Sequence, residues 1–105
     1  MRILLPGQYD AVANVVCGYF DVKPGELKSR LRTQRVSTAR RVIWYLLKTV
    51  CDTCLSEISR HTGNVPSAIS LGVIRVCDLI SVDREFAQTI SLLESRCRIL
   101  FEVKE

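Results

Sequence analysis

Apolar residues return every three or four positions along most of the chain, and nowhere does strict alternation compete with that helical period. Val12, Val15, Val16 and Tyr19 fall at helical spacing and predict a first helix over Tyr9–Phe20. "DVKPGEL" breaks it, and Pro24 is placed to open a short helix over Gly25–Arg30. The longest pattern, Arg35–Cys51, carries a stripe of Val36, Ala39, Ile43, Leu46, Leu47 and Val50, with Arg40, Arg41 and Lys48 off it. Trp44 and Tyr45, mid-helix between Ile43 and Leu46, read as partly buried. "CDTC" ends this helix and a short one follows over Leu55–His61, with Glu57 at capping-box spacing from Cys54 and Gly63 as the closing residue. A fifth helix starts at Val65 or Pro66 and runs to Ile80, its apolar side made of Val65, Ile69, Gly72, Val73, Val76 and Ile80. The last, over Asp83–Phe101, buries Phe86, Ile90, Leu93, Cys97 and Leu100. With no internal repeat or low-complexity tract, the expectation is an all-α fold of about six helices. The fourth and fifth, joined by a turn containing glycine, have helix-turn-helix dimensions.

Length and composition place this pattern in one globular domain. The chain has 105 residues, 48% hydrophobic and 25% charged. The expected division is a lead-in over 1–8 and a single helical domain over 9–105. "MRILLPG" is too short for a signal-peptide core, and no apolar stretch approaches the roughly 20 residues that span a bilayer, so no membrane partner and a cytoplasmic location are expected. The five cysteines are odd in number and mostly on apolar helix faces, which favours free thiols in a reducing compartment. Cys51 and Cys54 have C-x-x-C spacing without a second ligand pair, so they read as a helix end and a cap, not a metal centre. No Ser-His-Asp, Cys-His or paired-carboxylate arrangement stands out, so neither catalysis nor a cofactor is expected.

Charge changes the picture. Lys23, Lys28, Arg30, Arg32, Arg35, Arg40, Arg41 and Lys48 stand against the single acid Glu26, a local +7 within a chain of net +4, leaving −3 for the remainder. A basic block beside a mildly acidic remainder is the footprint of a nucleic-acid or anionic-surface contact.

Three stretches taken in order, "VVCGYFDVKPGEL", "SRLRTQRVSTARRVIWYLLK" and "CLSEISRHTG", resemble the C-terminal DNA-binding domain of DnaA, the bacterial chromosomal replication initiator. The resemblance covers roughly residues 11–95. It implies an all-helical domain that binds double-stranded DNA, with Arg32 in the minor groove and Arg40 touching backbone or base. Arg41 stands where the family usually has glutamine. Lys28, Arg30 and Arg35 are expected on phosphates, which position a protein without specifying sequence. The family's ATPase has no counterpart: nothing reads G-x-x-x-x-G-K, so no nucleotide is expected, and the chain reads as a stand-alone paralogue unable to melt an origin by itself.

The departure falls at the fifth helix. The family's Gly-Gly-Arg-Asp-His-Thr-Thr-Val becomes "GNVPSAI", one residue shorter, with Val65, Pro66, Ser67 and Ala68 in place of the four polar readers. Further on, Ile74 replaces a basic residue and Arg75 keeps one. Ser67, Ser70, Leu71 and Ile74 share the outward face. Serine hydroxyls bond either kind of base edge and aliphatic side chains contact thymine methyls, but no bidentate pair is present. The first expectation is a regulatory DNA-binding protein using Lys28, Arg30, Arg32, Arg35, Arg40, Arg41, Ser67, Ser70 and Arg75. The alternative is a protein-interaction module that kept the fold and presents Leu71 and Ile74 to a replication or regulatory protein.

Overall fold

Among the residues that the computed structural model describes, 7–28 and 33–101, six helices form and no strand does. They are α1 (Gln8–Phe20), α2 (Pro24–Lys28), α3 (Gln34–Thr49), α4 (Leu55–Thr62), α5 (Pro66–Val82) and α6 (Arg84–Phe101). The all-α expectation holds, and each described helix end lies within two residues of its expected place. The expected end of the second helix, Arg30, lies outside the described residues.

Local chemistry sets these boundaries. Thr33 caps α3 by accepting the Val36 N–H at 3.3 Å. The Lys23 N–H donates to Glu26 Oε1 at 2.9 Å, starting α2 one residue earlier than expected, at Pro24. Asp83 closes α5 and opens α6: its N–H donates to the Leu79 carbonyl at 2.8 Å and its carboxylate accepts the Phe86 N–H at 3.1 Å. One residue therefore separates the two longest helices.

The central element is α3, which packs against every other helix. Its buried positions Val36, Ala39, Val42, Ile43, Trp44, Leu46 and Leu47 meet Val12 and Val16 of α1, Ile69 and Val76 of α5, and Ile90, Leu93 and Cys97 of α6 in one core. Three residues assigned to buried faces are instead exposed: Tyr19 by 47%, Val65 by 60% and Leu100 by 56%. Each sits at or next to a helix end, where the facing helix no longer covers the stripe. The Tyr19 hydroxyl uses its position to meet Thr89 Oγ1 at 3.1 Å, tying α1 to α6.

Where α5 meets α3, a Cβ on Gly72 would lie 2.5 and 2.6 Å from Cε3 and Cζ3 of Trp44 and 3.2 Å from Cγ of Arg41. The indole is buried and its ring atoms cannot bend away, so glycine is required at this crossing for space. Gly72→Ala gains about 1 kcal/mol in helix propensity but forces an overpacking cost of about 1–3 kcal/mol. We expect net destabilisation of about 1 kcal/mol, read as a lower Tm and a shifted Trp44 emission. In a Trp44→Leu background, itself less stable for losing the ring, the added cost of Gly72→Ala should shrink, because the clash is gone.

The thiols follow the packing. Cys17, Cys51 and Cys97 are buried, Cys54 is half-buried and Cys77 is exposed. Burial, with the neighbouring Cys51 and Glu94, pushes the Cys97 thiol up to about 11, and burial also raises Cys17. Cys54 goes the other way: the Ser56 hydroxyl 3.4 Å away, with nearby backbone N–H groups, lowers its pKa. Brief alkylation of the native protein at mildly alkaline pH should therefore label Cys54 and Cys77, with Cys17, Cys51 and Cys97 modified only after unfolding. Mass spectrometry of the labelled chain reads the outcome, and native labelling of Cys97 would contradict it.

Candidate nucleic-acid interface

The helix-turn-helix geometry is built by residues 54–66. The Thr62 hydroxyl donates to the Ile58 carbonyl at 2.9 Å and accepts the Asn64 N–H at 3.3 Å, so one side chain secures both sides of the turn. Gly63 takes the left-handed conformation, φ 80°, and its N–H reaches the Ser59 carbonyl at 2.8 Å. Val65 is extended, and Pro66 opens α5 at the position where no N–H is needed. The two helices meet at a bend of 109°, within the range of a helix-turn-helix pair. Ile58 and Ile69 are buried together beneath it.

The first helix is held by charge as well as packing. The Glu57 carboxylate, largely buried, accepts from Arg60 Nη2 at 2.7 Å and Nε at 3.2 Å, and lies 3.5 Å from His61 Nε2. Cys54 stands at the N-cap without a side-chain cap bond, so the capping box is not completed from that end. The His61 ring stacks on Tyr9 of α1, centroids 6.5 Å apart. Burial raises the Tyr9 phenol above its ordinary pKa.

Ser67, Leu71, Ile74 and Arg75 on α5 are exposed and Ser70 is half-buried. Leu71 is exposed by 63% and Ile74 by 51%. An open groove of about 1060 Å³ runs between α3 and α5, lined among others by Tyr9, Arg40, Arg41, Ala68, Leu71 and Arg75. The fold thus brings Arg41, Leu71 and Arg75 to one surface. Arg35 is exposed in the first turn of α3. Arg30, Arg32 and the side chain of Lys28 lie outside the described residues.

Arg40 makes bonds that its sequence position did not predict. Its Nε donates to the Leu27 carbonyl at 2.9 Å and its Nη2 to the Glu26 carbonyl at 3.3 Å. These carbonyls belong to the last residues of α2, which have no intrahelical acceptor role left to fill. Two guanidinium donors are therefore committed to holding α2 against α3, and with it the start of the basic segment. Nothing in the sequence signals a bond spanning thirteen residues of separation. Tyr9 and His61, read as ordinary core or end residues, also reach the groove region.

Among the described residues, no three His, Cys, Asp or Glu side chains group as a metal would require. Cys51 instead faces the core beside Cys97. No single described helix is long and apolar enough to cross a membrane.

The two neighbouring arginines should separate in a stability measurement. Arg40→Gln removes partly buried, charge-assisted bonds and should cost about 1–2 kcal/mol. Arg41→Gln keeps the stem that packs on Gly72 and should stay within about 0.5 kcal/mol of the parent chain. Urea unfolding of both variants reads the difference, and equal stabilities would contradict the clamp.

Comparison with known proteins agrees with this geometry. The family model described as bacterial dnaA protein helix-turn-helix matches residues 9–76, from α1 into the middle of α5. The chain is 30% identical over 86 residues to the chromosomal replication initiator protein DnaA of Aliarcobacter butzleri, covering 81% of this chain and 20% of that protein. It is 29% identical over 91 residues to the DnaA of Campylobacter jejuni subsp. doylei, covering 86% and 21%. Against the DnaA of Bacteroides fragilis it is 31% identical over 90 residues, covering 82% and 18%. The chain spans about a fifth of the length of these relatives. It belongs to the bacterial DnaA helix-turn-helix family.

Proposed function

We propose that this chain binds double-stranded DNA through α4 and α5 and regulates replication initiation or transcription, competing for initiator sites or acting at promoters or at the origin. One observation carries the reading. Arg41 from α3 and Arg75 from α5 line the same groove, one wall of which is the second helix of the helix-turn-helix pair. Two further features support it. The basic segment Lys28–Arg35 begins where Arg40 holds the end of α2, and Arg35 is exposed beside it. In this reading Lys28, Arg30, Arg35, Arg41 and Arg75 meet phosphates, Arg32 probes the minor groove, and Ser67 and Ser70 face the bases. Arg40 positions the basic segment.

The regulatory part rests on what α5 lacks. Val65, Pro66 and Ala68 offer no side-chain donor where the family has polar readers, so the chain contacts DNA without the initiator's own readout. Duplex DNA as ligand implies action in the bacterial cytoplasm.

Fluorescence anisotropy with an initiator box, a scrambled box and an A·T-rich duplex, each at low and near-physiological salt, tests this. We expect binding to all three at low salt, with a log–log salt slope on the order of −4, from about five phosphate contacts at about −0.9 each. Arg41→Gln and Arg75→Gln should each flatten that slope by about 0.9. A box preference above about tenfold that survives higher salt would favour direct competition with the initiator, since salt removes only the sequence-independent term. Undetectable binding to every duplex at low salt would overturn the proposal in favour of a protein-interaction module.

A further inference from the structure

We propose that the outer face of α5 reads thymine methyl groups, so that the preferred ligand is duplex DNA rich in thymine at the major-groove edge. This rests on the DNA-binding reading above and specifies what that site would select.

The argument begins with placement. Ala68, Leu71 and Arg75 follow one another at helical spacing along α5, and all three line the groove whose other wall carries Arg41. Leu71 therefore shares this groove with two cations, and Ile74 stands one turn further along α5, exposed by 51%. A polyanion that engages Arg41 and Arg75 is drawn over Leu71. An uncharged apolar partner would have to leave both guanidinium groups unanswered. Charge thus selects an anionic occupant for this apolar stripe, and on the DNA-binding reading that occupant is duplex DNA.

Chemistry then selects the base. In the major groove the only methyl group on a base edge is that at C5 of thymine; cytosine carries a bare C5–H there, and the other groups that the G·C pair presents are donors and acceptors. The stripe supplies the reverse of a polar reader. Ala68, Leu71 and Ile74 carry no hydrogen-bonding side chain, and Ser67 and Ser70 are single hydroxyls that accept either partner. Pressed against a cytosine or guanine edge, Leu71 and Ile74 would strip water from polar groups and return nothing. Against thymine they bury methyl on methyl. Each such contact should favour the methylated base about fourfold.

The test compares labelled duplexes that differ in this methyl alone: alternating A and T against alternating A and U, and alternating G and C against its 5-methylcytosine counterpart. Binding is read by anisotropy at low and near-physiological salt. The parent chain should lose about fourfold or more in affinity when thymine becomes uracil, and gain by a similar factor when cytosine is methylated. Leu71→Ser with Ile74→Ser, both at exposed positions, should bind the T and U duplexes alike, with unchanged helicity and Tm. Equal affinity of the parent chain for T and U duplexes would overturn the methyl readout and leave DNA binding standing. Retention of the thymine preference by the double variant would overturn its assignment to these side chains. Failure to bind any duplex would remove the DNA-binding reading itself, and this inference with it.

Discussion

The seat of α5 on α3 governs what this surface is able to do. At Gly72 the missing side chain leaves room for the ring of Trp44, whose Cε3 and Cζ3 a Cβ would meet at 2.5 and 2.6 Å. Glycine inside a helix costs about 1 kcal/mol relative to alanine. A buried tryptophan removes roughly 150–250 Å² from water, which more than offsets that cost at about 25 cal/mol per Å². The geometric consequence matters more than the energy. A rigid ring fixes the depth and tilt of the helix lying on it, and the stem of Arg41 packs at the same crossing. The outer residues of α5 therefore keep a fixed relation to the cations of α3.

A second constraint divides those cations by task. Arg40 and Arg41 are neighbours, turned about 100° apart by the helix they share. Both line the groove, but Arg40 holds the terminal carbonyls of α2 while the stem of Arg41 packs at the crossing with α5. Counting charge in the basic segment treats them as equivalent. Their surroundings do not: a guanidinium committed to two carbonyls has less to offer a phosphate, yet it determines where the flexible-stemmed lysines and arginines near it begin. The acidic partner of the first helix works similarly, since Glu57 occupies Arg60 within α4.

Much of this architecture was legible in the sequence because burial repeats with the helix. Val12 and Val16, then Val36, Ala39, Ile43, Leu46 and Leu47, then Ile69 and Val76, and Ile90, Leu93 and Cys97 all fall inside as their spacing requires. Tyr19, Val65 and Leu100 obey the same spacing and are exposed, because periodicity gives a direction around the axis and not the length of the neighbour that covers it. Gly72 was assigned to the buried side, but its partner was not readable: that Trp44 fills the vacancy depends on how two helices cross. The bonds that Arg40 makes were hidden for the same reason. Its type and position suit a phosphate contact, and only the return of α2 beside α3 gives it two carbonyls to hold. At the candidate interface, the outward placement of Ser67, Leu71 and Ile74 followed from the wheel alone. What the wheel could not supply was that Leu71 shares a groove with Arg41 and Arg75.

That sharing bears on how a domain with so few polar readers would choose among sites. Phosphate contacts supply affinity that is nearly the same for every sequence, so they fix residence on DNA without ranking positions. A bidentate pair contributes about 1–3 kcal/mol of discrimination, and several are needed to pick one site from the roughly 10⁶–10⁹ competitors of a genome. Two hydroxyls and two aliphatic side chains fall well short of that. On the proposed reading, selection at the level of a single short box is therefore beyond this surface, whatever its total affinity. Composition over a longer tract is within its reach, because a small preference repeated at many adjacent positions raises occupancy there. Such a protein would distinguish thymine-rich regions from their surroundings, and would meet a more discriminating initiator by crowding the region around its sites rather than by matching its specificity.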